Sequence, residues 1–484
     1  MTPSSLVKLI HSLSGPEKRF FKLQCKMQEG NKEYELLFRI IDTHRSTDIP
    51  ALKQEFGKRS PKGSWENTCM YLGKMLIDCL VKAKREKDVF FDLMHQMQEI
   101  RILNERSLEQ QAIKQAKKVQ QKAAQYQLHW IEYYCHRYEL QYYSDSNFAG
   151  ITDDELVKMQ MKGKDILRNL NHIHDHYSLY ELLHYRLIHT GRVVSEQDKK
   201  RLNDLMLSEM ALVAGRTKSF ASKKLHLLFQ SFFFTVVGDY HSALKSFYHL
   251  NELMEKNESF LDNPPLDYLS ALTGILDSLH MLNNHSEAPY YLDKIRKLDQ
   301  GIYPEYFRYL VRKVHATRQI TWLLHAGKTE DAKQLADGIA KDVFESYILV
   351  DEEKQCELYF YCSLACFRLG NWKKAHLFIR EIMNQMKLPV HLPVSKAIRL
   401  LNIIIYFQKG EMLHLEYEIR AYKRYFRQLG LLRSEKLVFR IIANVSARRS
   451  SSLLAREQKS ILKELDLLVK DRYEQQLLKY IDVR

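Results

Sequence analysis

Between residues 222 and 430 the apolar positions recur three and four apart, the spacing of a helix face, and the runs are broken at regular intervals. Gly238, Gly327, Gly370 and Gly410 each close one apolar run and are followed within three residues by the start of another. Asn283 takes the same place in the run around 276–292. The successive intervals are 45, 44, 43 and 40 residues. A period of this size marks stacked helical hairpins.

The residue types at fixed offsets from each turn have separate physical reasons. Glycine after a helix takes the left-handed conformation with no Cβ penalty, and asparagine tolerates it better than most residues. Asp239 and Asn371 are placed to cap the next helix. Ala243, Ala288, Ala332 and Ala375 each fall five residues after a turn, where a small side chain lets two helices approach. Phe247, Ile379 and Ile419 fall nine after their turns, on the same face. Pro264-Pro265, Pro304 and Pro393 stand in the gaps, where a first helix begins and a missing N–H costs nothing.

The run Tyr359, Cys362, Ser363, Cys366, Gly370, Ala375, Ile379 resembles a tetratricopeptide repeat, and Leu227, Ser231, Phe234, Gly238, Tyr240, Ala243, Phe247 resembles it almost as well. The chain departs from that family in its longer period, against about 34 residues, in Ser where the first helix has Gly, and in mostly lacking the closing Pro. The resemblance implies an all-α, right-handed α–α superhelix, a solenoid of hairpins with helical caps at both ends. It also implies a non-enzymatic protein–protein interaction scaffold or adaptor whose concave face meets a peptide or partner domain. Tyr359, Gln230 and Asn402 are candidate groove positions on first helices.

The rest of the chain is helical by the same criterion. Helices are expected at 4–13, 17–27, 33–44, 49–57 and 64–84, which make a cap domain over 1–88 and also admit a helix-turn-helix drawing. Residues 89–215 read as divergent hairpins, with a lysine face at Lys114, Lys117, Lys118 and Lys122 that is ordinary solvated surface. Thr152-Asp153-Asp154-Glu155 reads as a capping box opening a helix to about Leu170, with another at 177–190. The five tetratricopeptide-like hairpins occupy 216–430, and capping helices at 433–446 and 453–480 occupy 431–484.

Composition narrows the function classes. At 484 residues one compact core is unexpected, but a solenoid packs each repeat only on its neighbours. Lys8, His11 and Glu17 break any apolar run in residues 1–21, so no secretory h-region is expected there. No stretch approaches eighteen apolar residues, so no membrane span is expected. Seven cysteines include no Cys-x-x-Cys pair, and Cys362 and Cys366 lie one turn apart as core residues, which fits reducing cytoplasm.

Catalytic chemistry finds no anchor. There is no Gly-x-Ser-x-Gly elbow and no phosphate-cradling glycine loop, and no cofactor is expected. The acidic groups at Asp153-Asp154 and Asp351-Glu352-Glu353 sit at helix starts, where the dipole accounts for them. His172, His174 and His176 lack the spacing of a metallohydrolase loop and read as a link between two helices, with adventitious divalent binding as the alternative.

Charge supplies the one surface lead. The net charge is +15, and residues 421–460 carry ten Lys/Arg against Glu435 and Glu457. Arg420, Lys423, Arg424 and Arg427 fall at i, i+3, i+4 and i+7, one positive helix face beside an apolar face of Leu415, Ile419, Tyr422 and Phe426. Arg433, Lys436, Arg440, Arg448, Arg449 and Arg456 extend it. Three readings stand: solvated surface, an acidic protein partner, or nucleic acid bound through its phosphates. Tyr425 would stack on a base in the last case, or cover arginine stems.

Overall fold

The computed structural model describes residues 1–27, 33–44, 48–190, 193, 196–214, 219–339, 343–344, 352–385, 393–427, 429–446 and 451–480. All of its regular structure is helical, with no strand among the described residues. Among the described residues no helix is long and apolar enough to cross a membrane. The chain divides into two compact units, one built mainly of Met1–Asp175 and the other of His176–Thr217, Lys223–Gly301 and Arg308–Arg484.

In the first unit, helices Pro3–Ser12, Gly15–Lys26, Glu33–Thr43, Ile49–Arg59 and Trp65–Arg85 enclose a core of Leu6, Ile10, Phe21, Leu37, Phe38, Ile41, Phe56 and Leu72. Their starts are set by caps. Ser14 and Glu17 form a full capping box, whereas the Asp48 side chain makes no capping bond. Helices Val89–Glu105, Glu109–Gln125 and His129–Asp145 follow, and the middle one turns Ala112, Ala116, Val119 and Ala123 inward. Lys117 and Lys122 of the lysine face are paired with Glu139 and Asp92.

One expectation fails in the stretch that follows. Thr152 and Glu155 do form a capping box, but the helix they open runs from Asp153 to Thr190 without a break. The histidines therefore lie inside a helix and do not link two. Nothing between Leu170 and Tyr177 is Gly or Pro, so the modest helix propensity of Asn and His is overridden.

The second unit carries the repeat. Its helix pairs are Phe220–Val236 with Tyr240–Glu255, Leu266–Met281 with Ala288–Leu298, Glu305–His325 with Thr329–Gly338, Glu352–Arg368 with Trp372–Gln385, and Pro393–Lys409 with Met412–Tyr425. The expected turn residues all adopt positive φ: 76° at Gly238, 54° at Asn283, 72° at Gly327, 74° at Gly370 and 70° at Gly410. The residue after each turn donates its N–H to a carbonyl five positions back, as Asn371 does to Cys366 at 3.0 Å. Asp239 and Asn371 accept capping bonds from Ser242 and Lys374. Ala243, Ala288, Ala332 and Ala375 are buried, as are all seven cysteines, none of which forms a disulfide.

Packing in this unit runs between chain neighbours. Glu352–Arg368 packs on Trp372–Gln385 and also on Pro393–Lys409, the first helix of the next pair. Beyond 430 come Arg433–Ser446, Ser451–Lys470 and Arg472–Leu478. The expected single helix over 453–480 is interrupted at Asp471, and the interruption places Glu474 at the start of Arg433–Ser446. There Glu474 accepts the Arg433 N–H at 2.9 Å, the Ser434 N–H at 3.1 Å and the Ser434 hydroxyl at 2.7 Å.

Candidate functional site

The basic surface rests on a buried polar cluster. Tyr422, Phe426 and Leu415 turn inward from Met412–Tyr425, and Ile419 is half-buried, as the helical spacing predicts. Glu435, expected to offset surface charge, is fully buried instead. It accepts hydrogen bonds from the Tyr422 hydroxyl, the Leu432 N–H and, at 2.9 Å, the Lys396 ammonium. Burial, then the Glu435 carboxylate, pushes the Tyr422 phenol far above its ordinary pKa. A carboxylate so enclosed is stable only with its partners in place.

Arg420, Lys423, Arg424, Arg427, Arg433, Lys436 and Arg440 are all exposed. They are not equivalent. Arg433 pairs with Asp471 and reaches Glu474 at 3.8 Å, and Arg440 pairs with Glu464. The Lys423 ammonium lies 5.5 Å from the centre of the Phe439 ring. Arg420, Arg424, Arg427 and Lys436 have no acidic partner among the described residues. Tyr425 stacks on the guanidinium of Arg399, 4.1 Å from ring centre to carbon. Arg448 and Arg449 lie outside the described residues, as does the side chain of Arg456.

A second surface was not anticipated. Residues 472–480 lie against the first helices of the pairs. The Gln476 amide donates to the carbonyls of Val193 at 3.2 Å and Val236 at 3.3 Å, the latter closing Phe220–Val236. The backbone of Lys479 stands beside His280, on Leu266–Met281, and its charge reaches Asp277 on the same helix. The Tyr480 hydroxyl donates to Glu357 at 3.2 Å, and its ring meets Phe360 and Tyr361 of Glu352–Arg368 at 5.7 and 6.1 Å. Arg472–Leu478 packs on Pro393–Lys409 as well. Leu477 and Tyr480 are buried in the same apolar cluster as Ile398 and Leu401.

Charged groups lace this surface. Arg318, on Glu305–His325, bridges Asp277 at 3.1 Å and Glu357 at 3.3 Å, tying three successive first helices together. Tyr480 is close enough to act on the Arg318 charge. Burial raises the Asp277 carboxyl against the pull of Arg318. Beside them, His280, His285 and His325 cluster, with ring centres 3.9 to 6.3 Å apart. Burial drives the His280 imidazole well below its usual pKa, and His325 and Lys479 add to the effect.

Of the expected groove positions, Tyr359 and Gln230 are half-buried and Asn402 is buried. Tyr359 packs its ring on Phe344 and Phe378, which makes it a core residue. The histidine stretch does not converge. One residue turns a helix by about 100°, so His174 faces away from His172 and His176. His172 approaches Ser222 at 3.3 Å, His174 is exposed, and His176 is buried 3.7 Å from Glu209. Among the described residues no three His, Cys, Asp or Glu side chains are arranged to hold a metal ion.

These features define a class: an all-helical protein with recurring helix–turn–helix pairs. No known family model matches the chain, and no curated relative does.

Proposed function

We propose that the chain is a non-enzymatic protein–protein interaction scaffold, with its five pairs coiled as a right-handed, tetratricopeptide-like superhelix. One observation carries this reading. Five turns at 40–45-residue intervals each hold a left-handed residue, glycine in four and asparagine in one, and an alanine five residues on is buried after four of them. Identical junctions of that kind stack hairpins and leave a continuous face for a partner. The work is cytoplasmic in this reading, which the seven free, buried thiols support. It needs no cofactor.

The basic turn supplies a second contact, for an acidic protein surface. Its Arg420, Arg424, Arg427 and Lys436, which have no acidic partner among the described residues, favour a polyanion of some kind, and nucleic acid is the competing reading. Pull-down from native cytosol separates the two. It is run with and without nuclease, on wild type and on R420E/K423E/R424E/R427E. Under our reading a defined protein partner survives nuclease. Material lost both on nuclease treatment and in the charge-reversed variant would move the assignment to nucleic acid. Empty lanes throughout would count against the scaffold itself.

A further inference from the structure

The segment Arg472–Leu478, with Lys479 and Tyr480 behind it, is short for a structural cap and meets first helices from four of the five pairs through hydrogen bonds or packing. It approaches Arg318 on the remaining one. Two kinds of contact hold it. Near its start Glu474 is bonded to the backbone of residues 433 and 434, a tether independent of the repeats. Further on, Gln476, Leu477 and Tyr480 supply an amide, an aliphatic side chain and a phenol to the first helices. Gln476 and Tyr480 are four residues apart, the spacing of one helical face.

The surface beneath is not finished as a permanent core would be. Arg318 Nε, on a first helix beside Tyr480, is buried with no hydrogen-bond partner among the described residues. Orphaned buried polar atoms are rare in native interiors and ask for an explanation. A surface that exchanges ligands supplies one, because its polar groups need not all be met by the resident ligand.

We propose that the first-helix faces form a groove for a short helix, that residues 476–480 are its resident ligand, and that the partner is a helical segment of the same chemistry. That chemistry is a side-chain amide, a leucine beside it and a phenol one turn later, as in Gln-Leu-x-x-Tyr. The inference rests on the scaffold reading and gives it a partner class. The resident competes as a tethered ligand. A tether of a few residues holds it at an effective concentration in the millimolar range, so a free partner binds the wild-type chain weakly until the segment swings out about Glu474.

The test uses a fluorescent synthetic peptide of residues 469–484 and the full-length chain. L477D/Y480D places carboxylates where the groove is apolar and beside Glu357, which expels the resident. This variant should bind the peptide at least about tenfold more tightly than wild type does. A scrambled peptide should not bind, and the native peptide should raise the melting temperature of the variant. A folded variant that ignores the peptide, or wild type that binds it equally well, would overturn the groove. So would a dimer of the variant that the peptide fails to compete with. Should L477D/Y480D not fold, Q476A, which removes only the amide bonds, carries the same titration; no gain over wild type then overturns the proposal. The scaffold reading fails separately: a pull-down with partners but no peptide effect leaves the scaffold and removes the groove, and peptide binding with an empty pull-down does the reverse.

Discussion

The two candidate surfaces differ in what already stands on them. At the basic turn four cations project from a helix end and its neighbour with no acid opposite among the described residues, above a closed cluster of Glu435, Lys396 and Tyr422. On the first helices the reverse holds: a segment of the same chain lies over them, and Arg318 Nε beside it has no hydrogen-bond partner among the described residues. Exposed charge on a satisfied base can attract a partner without any change in the protein. A covered surface with incomplete bonds requires something to leave first.

The first way to sharpen that contrast is to undermine the basic turn from below. Glu435→Ala leaves a buried ammonium, phenol and N–H facing a cavity, and should lower the unfolding free energy by about 3–5 kcal/mol in urea titration. A loss below about 1 kcal/mol would mean the cluster is not the closed base described here.

Lys313 tests the first helices. It is fully buried on Glu305–His325, bonded to Gln355 of Glu352–Arg368, and burial lowers its amine from 10.5 to about 7. The folded chain thus holds a neutral amine where the unfolded chain holds a proton. The unfolded state binds more protons between about pH 7 and pH 10, so stability climbs with pH across that window and is lowest below it. The climb attributable to Lys313 is about 5 kcal/mol. Lys313→Met should remove it; an unchanged pH profile in that variant would show the amine is charged in place.

Smaller effects separate the surfaces directly. Tyr480→Phe deletes one hydroxyl bonded to Glu357 and should cost about 1 kcal/mol. The triple variant R420E/R424E/R427E touches exposed groups with no acidic partner among the described residues and should stay within about 0.5 kcal/mol of wild type. Equal losses in these two variants would erase the distinction between an occupied surface and an open one.

Much of the repeat is readable because glycine and asparagine announce a left-handed turn. The same turn occurs at Ser107 and Gln127, with φ of 58° and 55°, and there it is silent in the sequence. Leu108 and Leu128 make the same bond five residues back, to Leu103 and Ala123, and this helix-closing bond accompanies a conformation that serine and glutamine do not favour. The basic face was legible from spacing within one helix. Its partial neutralisation was not, since Asp471 and Glu464 are far from Arg433 and Arg440 in the chain. The resident segment was less legible still: Gln476 and Val193 are 283 positions apart, and only the folded chain brings them together.

Hydrogen exchange on the intact wild-type chain tests the central claim most directly, followed peptide by peptide by mass spectrometry. If the first helices are a groove with a tethered ligand, the amides of 472–480 open locally and exchange far faster than those of Glu352–Arg368 and Pro393–Lys409. If all three segments exchange together, at the rate of global unfolding, the segment is part of the core and the groove does not exist.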